Sequence, residues 1–108
     1  MTGLVVIPNH ESWQVANVYF GPLMERAVAL STDPSDRDAI EMGAVFQSLN
    51  FKSLTDEQAP RIARTLINAA QQIRSELIER GTEPRDRLVA EHLLVLLAML
   101  QAAYGATK

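Results

Sequence analysis

The run LLVLLAML, Leu93 to Leu100, constrains this chain more than any other stretch, because eight consecutive apolar residues must be kept from water. A bilayer span needs about 20 mainly apolar residues. Here Glu91 and His92 precede the run, Gln101 follows it, and a wider window takes in Arg85, Asp86 and Arg87. Insertion is disfavoured, and no membrane association is expected. A buried strand fits poorly too, since Leu, Ala and Met dominate and only Val95 is β-branched. The run reads as part of a helix with Thr82 as its cap and Pro84 in its first turn, apolar all round and so destined for an interior. A chain of 108 residues barely supplies the neighbours to enclose it. Part of this helix is therefore expected to meet another chain.

Upstream segments supply the rest of a helical fold. Leu4 to Ile7 is rich in β-branched residues and stops at Pro8, which predicts a short extended segment tucked over the core. Asn9 or Ser12 can cap a helix through Trp13, Ala16, Tyr19 and Phe20. Pro22 then predicts a break, giving two short helices over 12–20 and 22–30 or one kinked rod. Asp33 and Pro34 start a helix expected to reach Leu49, with Met42, Val45, Phe46 and Leu49 turned inward and Asn50 as its left-handed terminator. Thr55 and Gln58 match a capping box, while a cap at Asp56 conflicts less with Pro60. From there Ile62, Leu66, Ala70, Ile73 and Leu77 mark one face of a long helix ending at Gly81. The expected fold class is all-α, a compact bundle of four to five helices with a short extended N-terminal segment, residues 1–108 forming a single helical domain.

Charge bears on partners. The net charge is -3, and six of the 13 acids lie between residues 31 and 60 beside only Arg37 and Lys52. An acidic middle suits a basic protein surface and argues against nucleic acid, for which a concentrated basic face with interleaved aromatics is expected. The chain has no cysteine, which excludes disulfides and thiolate chemistry and fits a reducing compartment. No basic, cleavable leader is evident at the N-terminus, so a cytoplasmic location is expected.

Catalytic patterns are missing. His10 and His92 each adjoin a glutamate, but neighbours in sequence do not share a helix face, and the Glu-x-x-His spacing of bundle metal sites is absent. There is no nucleophile elbow, phosphate loop or dinucleotide fingerprint. No cofactor or metal is expected. The sequence favours a non-enzymatic protein-binding domain, with an inhibitor or immunity-like protein that covers a basic partner surface ranked first within that class. The residues expected at its contacts are Trp13, Asp33, Asp36, Asp38, Glu41, Asp56 and Glu57. Val95, Ala98 and Ala102, on one side of the last helix, are expected at a two-fold homodimer contact. Two alternatives stand beside this. One is a small-ligand or regulatory bundle with a pocket near Trp13, Tyr19 and Asn68; the other is an enzyme using a lone histidine as base.

Overall fold

The N-terminal segment does more than lie across the helices. In the computed structural model, which describes residues 2–10, 12–80 and 83–105, Thr2–Val6 forms strand β1 and Trp13–Ala16 strand β2. They pair antiparallel, with Leu4 opposite Gln14 and Val5 opposite Trp13. The chain reverses between them at Asn9, whose φ of 65° is left-handed, and His10 donates its backbone N–H to the Ile7 carbonyl at 3.2 Å. A third strand, β3 over Ser48–Asn50, runs parallel to β1 on its other edge. The fold is thus broadly helical with a small sheet of order β2-β1-β3, and the all-α expectation is corrected. The cause is backbone chemistry: an extended segment has N–H and C=O groups that must be paired. Trp13–Ala16 supplies that pairing instead of opening the first helix. Its residues alternate buried and exposed, the two-residue period of a strand.

Four helices follow. Helix α1 spans Asn17–Leu30 without interruption and accommodates Pro22 within it, in place of the expected break. Phe20, Leu23, Met24 and Ala27 form its buried face. Helix α2, Pro34–Phe46, starts where expected: the Asp33 carboxylate accepts from the backbone N–H groups of Ser35 at 2.8 Å and Asp36 at 3.1 Å. It stops three residues short of Leu49, and Gln47, not Asn50, takes the left-handed position with φ 58°. Asn50 instead caps a 3₁₀ turn over Phe51–Ser53, accepting from the Lys52 N–H at 2.9 Å.

Helix α3, Gln58–Arg80, is capped by Thr55, whose hydroxyl accepts from the Gln58 N–H at 3.0 Å. The capping box is not closed, because the Gln58 side chain donates to the Ser35 hydroxyl of α2 at 2.8 Å. Alanines 59, 63, 69 and 70 sit among Ile62 and Leu66 on its buried face and let neighbouring elements come close. Helix α4, Pro84–Leu100, runs on into a π-helical turn over Gln101–Gly105. The expected stop at Gly81 and cap at Thr82 lie outside the described residues.

The helices form a row, with the start of α2 also reaching across to α3. α1 lies between α2 and α3, and α3 between α1 and α4. Val5, Ile7, Trp13, Val15 and Leu49 of the sheet region close the core with Phe20, Phe51, Ile62, Leu66, Leu93, Leu96 and Leu100. Sheet and α1 meet at Gly3. A Cβ there would stand 1.9 Å from Cγ of Phe20 and 2.5 Å from its Cβ, so only glycine fits without moving the helix or the strand. Gly3→Ala is expected to lower unfolding stability by about 1–3 kcal/mol, the usual range for overpacking. Urea titration followed by tryptophan fluorescence checks this; a wild-type midpoint would show that Phe20 can yield.

Candidate functional site

The acids expected to make one patch divide into two groups. Asp33 is occupied as the α2 cap, and Asp36 is buried at 3% exposure. Both Asp36 oxygens are taken by Arg61 of α3, Oδ2 by Nε at 2.8 Å and Oδ1 by Nη2 at 3.0 Å. This pairing, above all its hydrogen bond, holds the Arg61 guanidinium above its ordinary value. Asp36 is therefore an internal group and not a partner-facing one. Asp38, Glu41, Asp56 and Glu57 are exposed.

The outer face of α2 carries a surplus of apolar side chains. Met42, Val45 and Phe46, expected in the core, are 58%, 74% and 71% exposed. The inward face is set by Asp36, Ile40 and Gly43. Asp36 is drawn to α3 by Arg61, and Gly43 packs against the next strand so closely that a Cβ would lie 3.2 Å from the Ser48 carbonyl oxygen. The stripe read from the sequence ran through Leu49, but that residue belongs to β3, and without it the helix turns the opposite side to the core. Asp38 and Glu41 share the outer face with Val45 at helical spacing. Between α1 and α2 a hollow of about 330 Å³ is lined by Met24, Glu25, Val28, Glu41, Ala44 and Val45.

Helix α4 is not hidden on every side. Ala90, Leu93, Leu96, Leu97 and Leu100 are buried, whereas Leu88, Leu94 and Val95 are 65%, 44% and 49% exposed. Val95, Ala98 and Ala102 all lie on that outer side with Glu91. By length and composition alone, Pro84–Tyr104 is apolar enough to cross a membrane, although one side of it belongs to the core described above.

Trp13 is 2% exposed and is taken up inside the chain, which removes it from the expected contact surface. Its indole N–H donates to the His92 carbonyl at 3.0 Å, and its ring stacks on the His92 imidazole with centroids 4.8 Å apart. His92 Nε2 donates in turn to the Gln14 carbonyl, which requires the proton on that nitrogen. These contacts fasten the edge strand β2 to α4. His10 is exposed at the β1–β2 turn. Among the described residues no group of three or more histidine or acidic side chains is placed to hold a metal ion.

Tyr19 and Asn68, named for a possible pocket, line two separate hollows of about 250 and 420 Å³ that meet at Glu76. Trp13 lines neither. Burial raises the Tyr19 phenol above its ordinary value, assisted by its 3.1 Å hydrogen bond to Asp86. Arg26 lines the Asn68 hollow, 2.7 Å from Oε2 of Glu76 and donating to Gln72 at 2.9 Å. No protein-family model matches the sequence, and no curated protein or solved structure matches it.

The sequence reading missed the exposed α2 triad and Glu25. An available signal was the interleaving of Asp38, Glu41 and Val45 at helical spacing, which marks an outward face. The Arg26–Glu76 pair yields a pH prediction. The Arg26 hydrogen bond holds the Glu76 carboxyl below its usual 4.5. Its contribution is full above that value and is lost as pH falls through the lower, folded-state value. The thermal midpoint of the wild type is expected to exceed that of Glu76→Gln at neutral pH, with the gap closing below about pH 4.5. A gap constant down to strong acid would refute it.

Proposed function

We propose that this chain is a non-enzymatic protein-binding domain whose α1–α2 surface covers a basic partner, in the manner of an inhibitor or immunity-like protein. One observation carries the reading: Met42, Val45 and Phe46 stand more than half exposed on one helix face, beside the exposed carboxylates of Asp38 and Glu41. Single exposed apolar residues are ordinary, but a clustered aromatic, methionine and valine on one face have the composition of an interface centre. The acidic neighbours supply a rim that steers a positively charged partner and repels an acidic one. Asp56 and Glu57 extend the exposed negative charge to the approach of α3.

A photo-crosslinking side chain at Val45 identifies the partner, and calorimetry then measures its affinity. Phe46→Ser is expected to weaken that affinity at least tenfold, about 1.4 kcal/mol, and added salt to weaken it further. Equal affinity of wild type and Phe46→Ser for the captured protein would end this reading.

Self-association through α4 is a second part of the proposal, supported by the exposure of Val95, Ala98 and Ala102 beside Leu88 and Leu94. Small Ala98 and Ala102 allow close backbone approach of a second α4 across a two-fold axis. Arg87 and Glu91 lie toward the N-terminal end, so an antiparallel crossing keeps like charges apart. In sedimentation at high micromolar concentration the wild type is expected to run as a dimer and Ala98→Glu as a monomer with unchanged helical circular dichroism. A monomeric wild type would rule out the α4 dimer.

A further inference from the structure

We infer that the groove between α1 and α2 is the seat for a basic residue of an amphipathic helix presented by the partner protein, its cationic head held between Glu25 and Glu41. This deepens the protein-binding reading and rests on it. The floor and walls of the groove are apolar: Met24 is fully buried, and Val28, Ala44 and Val45 complete the lining. One carboxylate comes from each helix, Glu25 from α1 and Glu41 from α2, and both are exposed. Among the described residues neither has a cation within ion-pair distance. Each of the two helices carries a single base, and both bases are engaged. Arg26 is bound to Glu76 and Gln72 of α3, and Arg37 donates to the Ser31 carbonyl at 3.0 Å.

A long basic side chain matches this arrangement in both of its parts. Its methylene stem lies along apolar surface while its charged head stays at the wetter rim, where two carboxylates wait. Lysine and arginine are the side chains with that build. Beyond Val45, Met42 and Phe46 lie roughly a quarter-turn further round α2, outside the groove but also exposed, and offer apolar surface to the partner's neighbouring residues. Apolar residues and bases recurring at three and four positions would meet both surfaces together, the pattern of a basic amphipathic helix laid in a groove. The groove's occupant is thus a basic protein segment, and the charge that surrounds it disfavours acidic ones.

The test uses the full chain labelled with ¹⁵N and two synthetic helical peptides of identical leucine spacing, one carrying arginines and the other glutamates at the polar positions. The arginine peptide is expected to perturb amides of Glu25, Val28, Glu41 and Val45 and the glutamate peptide to leave them unmoved. The double variant Glu25→Gln/Glu41→Gln, altered only at exposed positions, is expected to lose at least tenfold in affinity for the arginine peptide while keeping the wild-type circular dichroism. Three outcomes overturn the inference: no binding of the arginine peptide, equal binding by the double variant, or perturbation confined to other surfaces. Concentration-dependent shifts of the groove amides without any peptide would assign the groove to a second copy and overturn it as well. A crosslinked partner that needs Phe46 but binds the double variant as tightly as the wild type leaves the broader protein-binding reading standing and removes the cationic seat alone.

Discussion

Asp36 enters the interior with its charge already matched, and the rotation of α2 about its own axis follows from that match. An unpaired buried carboxylate is costly, so the residue is tolerated inside only because the Arg61 fork meets both oxygens. Arg61 itself remains partly in solvent, which spares the pair the full desolvation of a buried ion pair. Once Asp36 is turned toward α3, Ile40 and Gly43 must follow it inward. Met42, Val45 and Phe46 are then left outside. An electrostatic contact at the start of one helix thereby exposes an apolar face further along it.

The two ends of the helix row share a common condition. α1 and α3 each pack broadly against two helices, whereas α2 lies mainly on α1 and reaches α3 only near its start, and α4 lies mainly on α3. Both outer helices nevertheless carry apolar residues on their free faces. Hydrophobic content set by the demands of a core would be spent on the inner faces alone, so the excess is concentrated where the chain has no further element to offer. The two outer helices, and not the polar hollow around Arg26 and Glu76, thus present the apolar surface left over from the core.

Much of the helical layout was legible in the sequence because its signals are local. Asp33 with Pro34, and the Ile62–Leu66–Ala70 spacing, act within a few residues of themselves and are obeyed. What was not legible depends on distant partners. Four residues, Trp13–Ala16, are too few to separate a two-residue period from a helical one, and the need of β1 for a neighbour decided the outcome. Gln47 has none of glycine's freedom, yet it ends α2 because the next three residues are drawn into the sheet. Of the contact residues, exposed Asp38 and Glu41 could be read from local charge. The burial of Asp36 and Trp13 depended on Arg61 and His92, 25 and 79 residues away.

The parallel pairing of β1 with β3 also sets an order of assembly. β1 and β2 can close as a hairpin as soon as both exist, since only a short turn separates them. The other edge of β1 has to wait until Ser48–Asn50 is made, with α1 and α2 between. At about 5–20 residues per second, synthesis leaves that edge unpaired for several seconds. An uncovered edge of Leu4, Val5 and Val6 is a template for another strand during that interval. The short β3 therefore serves the nascent chain as well as the finished one: its arrival closes the interval in which this protein can pair with the wrong neighbour.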